Sequence, residues 1–137
     1  MPHLFCYGSL MFAPVWSRVV QGTYDHIPAQ LRGFQRRGVQ GELYPCLIPG
    51  RQADLVEGVL YFHLNAADMK RLDEFEGDLY DRQTVAVTGV DGSQGPHEAE
   101  VYVLKACHRA VATQTAWDAT WFATEGLAQF LRYDFED

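Results

Sequence analysis

Two carboxylates close a short amphipathic stretch in the middle of the chain, and their spacing is the first feature that could do chemistry. In LNAADMKRLDEFEG, residues 64 to 77, Met69 and Leu72 define a buried stripe at about 100° per residue, with Ala66 and Phe75 at its margins. Glu76 projects between Met69 and Leu72, inside the apolar arc, and Asp73 falls on the same side, whereas Lys70, Arg71 and Glu74 turn to solvent. A carboxylate enclosed by apolar groups has its pKa raised, because burial penalises the charged form, and a general base working near neutral pH requires such a shift. The competing reading is structural: either acid could pair with an arginine of a neighbouring strand, for example Arg82, and on the pattern alone that reading is the stronger.

The second candidate is Tyr7-Gly8-Ser9-Leu10, directly after the apolar run that begins at His3. A tight turn needs glycine, and serine often bonds locally in turns, so an ordinary corner explains these residues. The alternative is that Gly8 lets the backbone approach a ligand, and that successive N–H groups at a strand-to-helix turn form an anion cradle. Ser9 is a poor nucleophile candidate, because GSL is not a G-x-S-x-G elbow and no histidine has a claim to act as its base.

Other chemistries find little support. His3, His26, His63, His97 and His108 show neither an i,i+4 pair nor H-E-x-x-H, so no metal site is expected. There is no G-x-G-x-x-G and no Walker loop, and no cofactor is expected. Cys46, beside Pro45, reads as packing, and Tyr44-Pro45-Cys46-Leu47 as a bulged core strand or a cleft wall. Arg36 and Arg37 could reach a carboxylate, but salt bridging on a solvated face is the simpler use.

The elements that must position these residues follow from periodicity and punctuation. His3 to Tyr7 predicts a strand, and Phe12 to Val20 a short helix with Val15, Trp16 and Val19 on one face. Ala29 to Val39 and Glu42 to Ile48 predict strands broken by Gly33, Gly38, Gly41 and Pro45. Leu55 to Leu64 predicts a further strand, followed by a helix with Asn65 and Asp68 as capping box, Leu64 and Met69 as staple, and Gly77 as an αL terminator. Tyr80 to Val90 and Ala99 to Ala106 predict an antiparallel pair joined through a hairpin loop at residues 91 to 96. A polar crossing from His108 to Thr115 leads to a helical tail carrying Trp117, Trp121, Phe122 and Phe130, which should close over the sheet. Strands in runs, with few helices and no regular βαβ alternation, predict α+β architecture with a strongly bent, mostly antiparallel sheet closing into a small β-barrel.

Composition bounds the function classes. A length of 137 residues, 47% of them hydrophobic, predicts one domain spanning residues 1–137. Eighteen acidic residues against eleven Lys and Arg leave a formal charge of -7, which disfavours nucleic acid and anionic lipid as partners. The three cysteines are too far apart for C-x-x-C, and neither a leader pattern nor a long apolar stretch is present, so a reducing, cytoplasmic setting without membrane attachment is expected. A monomer is the expected state.

YGSL at the end of the first strand, LDEFEG closing a helix and YDR opening the next strand together resemble the gamma-glutamylcyclotransferase-like family, which includes gamma-glutamylamine cyclotransferases. The resemblance runs along the chain through GELYPCLIPG, EGVLYF and the aromatic tail. It implies a bent-sheet barrel in which the loop and the helix glutamate face one cavity, with Tyr7, Gly8, Ser9 and Leu10 holding a small γ-glutamyl substrate and Glu76 acting as the catalytic base. The implied reaction forms 5-oxoproline and releases the free amine. Two rivals stand beside it: a non-catalytic metabolite-binding module on the same fold, and a different amide or C–N lyase that uses the same glutamate.

Overall fold

The computed structural model describes residues 1–90 and 94–135. Five strands close a barrel: β1 (Leu4–Cys6), β2 (His26–Arg32), β5 (Leu55–Tyr61), β6 (Tyr80–Gly89) and β7 (His97–Leu104), in the order β1-β5-β2-β6-β7. The neighbours are antiparallel except where β1 meets β7, a parallel contact at Leu4 and Glu100 that shuts the ring. A second sheet, in the order β4-β3-β8, holds β3 (Phe34–Val39), β4 (Pro45–Pro49) and β8 (Ala112–Ala116).

The short apolar run at the start of the chain is explained by burial on both faces, since successive side chains of a strand point to opposite sides. Phe5 and Tyr7 join Ala29, Leu31, Leu60, Val87, Ala99, Val101 and Val103 in one buried cluster. Leu4 and Cys6 join a second cluster with the helices, in which Trp16 stacks on Tyr61 at 3.7 Å between ring centroids. Its helices are α1 (Ala13–Val19), which buries Val15, Trp16 and Val19, and α2 (Ala66–Glu76). The tail supplies α3 (Ala119–Trp121), a π turn at Phe122–Gly126 and α4 (Leu127–Phe135), and buries Phe122 and Phe130 in the same cluster.

Several expectations are corrected. The break expected at Gly33 is more than a bend within one sheet: at φ 88° it turns a corner that sends β2 to the barrel and β3 to the second sheet. The polar crossing after His108 contains β8, an edge strand invisible to a hydrophobic pattern because most of it is exposed. Gly77 does take a positive φ of 73°, but its ψ of -160° is not αL; it leads into a 3-10 turn at Gly77–Leu79. Only half of the capping box forms: Asn65 Oδ1 accepts from the Asp68 amide at 2.8 Å. The Asp68 carboxylate turns instead to the amides of Gln21 and Gly22, both at 2.9 Å, and to the Tyr24 hydroxyl at 2.6 Å. Arg71 is not free in solvent either, since it pairs with Asp68 at 2.6 Å. The loop expected at residues 91 to 96 lies partly outside the described residues; the antiparallel pairing it serves runs from Tyr80↔Leu104 to Val87↔His97.

Candidate active site

Beyond β1 the chain enters a 3-10 turn at Ser9–Met11, in which the Gly8 carbonyl accepts from the Met11 amide at 2.9 Å and the Ser9 carbonyl from the Phe12 amide at 3.1 Å. The first N–H groups of such a turn have no partner further back within it, and among the described residues this leaves those of Gly8, Ser9 and Leu10 open to an outside acceptor. All three residues line a cavity of about 470 Å³. Glycine is required at position 8 by packing: a Cβ there would stand 2.6 Å from Pro45 Cγ and 2.8 Å from Cδ. Tyr7 pins the loop to β7 by donating its hydroxyl to the Tyr102 carbonyl at 2.7 Å.

Glu76 enters the same cavity from the last turn of α2, beside Phe75 and Leu79. Its two sequence-level readings separate cleanly. Asp73, the other acid, is the paired one: Arg82 reaches it at 3.6 Å and the Tyr102 hydroxyl donates to it at 2.7 Å. Asp73 is thus 44% exposed rather than inward-facing, while among the described residues the ion pairs leave Glu76 out. Enclosure, with the nearby Asp73 charge adding to it, pushes the Glu76 carboxyl up to about 8.

The tyrosines around the glutamate do not relieve it. Tyr7 donates to Tyr102 O, Tyr80 to Pro45 O at 2.7 Å and Tyr102 to Asp73, so each hydroxyl proton is committed elsewhere. Burial first, and the Glu76 charge among the further causes, hold the Cys6 thiol and these three hydroxyls above their ordinary ranges. The Glu76 carboxyl, held at about 8, can exchange a proton near neutral pH.

The structure brings Tyr7, Gly8, Ser9, Leu10 and Glu76 into one cavity, together with Tyr44 and Pro45 from the segment into β4. It adds walls that local sequence did not assign to a site: Tyr80 and Tyr102 from β6 and β7, and Phe130, Tyr133 and Asp134 from α4. Tyr44-Pro45 is both things at once, a cleft wall that continues into buried Cys46 and Leu47. Among the described residues the lining includes three carboxylates, Glu42, Glu76 and Asp134, and no Lys, Arg or His. Burial and the neighbouring Glu42 charge raise Asp134 as well. No cluster of His, Cys, Asp and Glu among the described residues is arranged to hold a metal ion. No described helix is long and apolar enough to cross a membrane.

A sequence profile described as "Gamma-glutamyl cyclotransferase, AIG2-like" matches residues 4–121. Among curated relatives, AIG2-like protein C of Arabidopsis thaliana is 37% identical over 102 residues, covering 74% of this chain and 58% of its own length. AIG2-like protein A of Arabidopsis thaliana is 33% identical over 92 residues, covering 67% of this chain and 55% of its own length. The chain thus spans little more than half of these relatives. A solved Arabidopsis thaliana protein superposes with a TM-score of 0.73 at 26% identity, over 96% of this chain and 78% of that one. A structure described as a gamma-glutamyl cyclotransferase gives a TM-score of 0.64 at 19% identity, over 76% of this chain and 66% of that one, a likeness of fold.

Proposed function

The chain belongs to the gamma-glutamyl cyclotransferase, AIG2-like family, and from that premise we propose that it converts a γ-glutamyl amine into 5-oxoproline and the free amine, with Glu76 as the proton carrier. The observation that carries the reading is the half-buried Glu76 carboxyl, raised to about 8, lining one cavity together with Gly8, Ser9 and Leu10. The substrate's α-amine has a pKa of about 8 or above and is mostly protonated at neutral pH. Glu76 removes that proton, and the amine nitrogen attacks the substrate's own γ-carbonyl carbon. The attacking nitrogen gives up a second proton as the ring forms, and the tetrahedral centre expels the departing nitrogen, which takes that proton together with the one Glu76 returns and leaves as the protonated amine. One C–N bond forms, one breaks, and no water is consumed.

Ring closure needs the glutamyl chain folded back on itself, and holding its α-carboxylate is a proximity device. With no basic side chain in the described lining, the backbone amides of residues 8 to 10 are the groups suited to hold that carboxylate or to stabilise the oxyanion. The same lack of cations bears on the leaving side. Glu42 and Asp134 disfavour a departing amine that carries its own carboxylate, so simple γ-glutamyl amines fit better than γ-glutamyl peptides.

The test is mass spectrometry of 5-oxoproline released from γ-glutamyl-n-butylamine in H₂¹⁸O. Unlabelled 5-oxoproline from the wild type, and none from Glu76→Gln, is the expected result. Labelled glutamate would identify a hydrolase instead, and saturable binding without turnover across a panel of γ-glutamyl amines would identify a binding module.

A further inference from the structure

Arg36 of β3 lies behind the loop that the proposed reaction uses. Its guanidinium Nη1 donates to the Tyr7 carbonyl at 2.9 Å and to the Glu57 carbonyl of β5 at 3.1 Å. The guanidinium carbon lies over the Trp117 ring, 5.3 Å from its centroid, and the Trp117 amide donates to the Arg36 carbonyl at 3.4 Å. The side chain is half-buried, and the ion pairs among the described residues do not include it. Arg36 is absent from the cavity lining and borders a separate hollow with Trp117 and Leu55.

A trans peptide is planar, and its C=O and N–H point in opposite directions. The Tyr7 carbonyl is held by Arg36, so the N–H of the same peptide unit, that of Gly8, is turned away from Arg36. Gly8 itself lines the cavity. Gly8 has no Cβ to restrain rotation of the peptide, and among the described residues the next backbone hydrogen bond along the loop is at its carbonyl, which accepts from Met11. An arginine suits the task because a planar guanidinium can lie flat on an indole while its N–H groups reach two carbonyls.

We propose that Arg36 is a positioning residue: by gripping the Tyr7 carbonyl it orients the Tyr7–Gly8 peptide so that the Gly8 N–H faces the cavity and meets the substrate's developing or resident negative charge. The catalytic part of this rests on the cyclotransferase reading; the orientation of the peptide does not. Misplacing one such donor by about an ångström costs on the order of 100-fold in rate.

The experiment measures backbone N–H residual dipolar couplings of the ¹⁵N-labelled chain, together with kcat and KM on γ-glutamyl-n-butylamine, in the wild type, Arg36→Met and Arg36→Lys. In Arg36→Met the Gly8 coupling should leave the value fitted by the barrel's alignment tensor while the strand couplings keep theirs. The value of kcat/KM should fall roughly 100-fold. Arg36→Lys, which keeps a donor but not the flat stack, should lie between and serves as the test if the methionine variant fails to fold. An unchanged Gly8 coupling overturns the proposal whether or not the protein turns over its substrate. A displaced coupling with unchanged kcat/KM in an active enzyme overturns its catalytic part. Absence of wild-type turnover on γ-glutamyl amines fails the cyclotransferase reading, and with it the catalytic part, while the coupling still decides the orientation.

Discussion

At the scale of single residues the decisive quantity is the environment of Glu76. A carboxyl held at about 8 is roughly one-tenth ionised at pH 7, so in the proposed role of base it is poised but mostly protonated. The acid limb of kcat/KM is therefore expected near pH 8. In Asp73→Asn, which deletes the charge that helps raise Glu76, the limb should move to lower pH; a limb that stays put would remove Asp73 from the explanation. The same shift costs stability. The folded-state value lies above the unfolded one, so between about pH 4 and pH 8 the unfolded chain is ionised while the folded chain prefers the proton, and stability falls as pH rises through that window. Glu76→Gln removes the penalty, up to about 3 kcal/mol at neutral pH. Its melting temperature should exceed that of the wild type by more at pH 8 than at pH 5, and equal gaps at the two pH values would contradict the shift. In the loop, Gly8→Val drives a Cβ to 2.6 Å from the Pro45 ring and should be severe, whereas Ser9→Ala, which leaves the backbone amides in place, should retain activity within a few-fold. A dead but folded Ser9→Ala would return the hydroxyl to the mechanism.

At the scale of elements, α2 is tied down at the end remote from Glu76. Asn65 caps its first turn, and the buried Asp68 joins that turn to Gln21 and Gly22, just past α1, and to Tyr24. Burial alone would raise the Asp68 carboxyl, but hydrogen bonds from Tyr24, Gln21, Gly22 and Arg71 overcome it and hold it at about 2. Its folded pKa is depressed, so its contribution is present above about pH 4 and is lost as pH falls toward 2. Asp68→Ala leaves two backbone amides and a hydroxyl without their acceptor and should cost about 3 kcal/mol in urea unfolding at pH 7. Because α2 delivers Glu76 at its far end, that variant should also lose turnover at temperatures where it is still folded. A loss under 1 kcal/mol would mean that water replaces the carboxylate. The wheel projection put both Glu76 and Asp73 on the inner arc, and of the two it is Glu76 that lines the cavity. Only the approach of Arg82 and Tyr102 from neighbouring strands turned Asp73 outward.

At the scale of the whole molecule, the barrel and the second sheet meet around the loop after β1, and the helices roof the cavity beside it. The charge of that cavity is a property of the assembly, since Glu42 precedes β4, Glu76 ends α2 and Asp134 lies in α4. Steady-state kinetics on matched substrates should show γ-glutamyl-n-butylamine preferred over a γ-glutamyl amine of equal length ending in carboxylate, by roughly 10-fold at low salt and less at high salt. Equal kcat/KM values would show that these acids do not face the leaving group. Much of this protein was legible along the chain. The periods of β1, β5, α1 and α2, the Asn65 cap and the paired signals of YGSL and LDEFEG are local, set by side-chain spacing and backbone preference within a few residues. They were enough to indicate α+β architecture and a closed barrel, and, through the family resemblance, the loop and helix residues that line one cavity. What remained hidden depends on groups distant in sequence: the exposed edge strand β8, the change of sheet at Gly33, the Pro45 ring that demands Gly8, the tyrosines whose protons are spent elsewhere, and Arg36 behind the loop. Spacing determines which face a residue turns, whereas what waits on that face, and therefore its charge state, is decided only when strands and helices far apart in the chain are packed together.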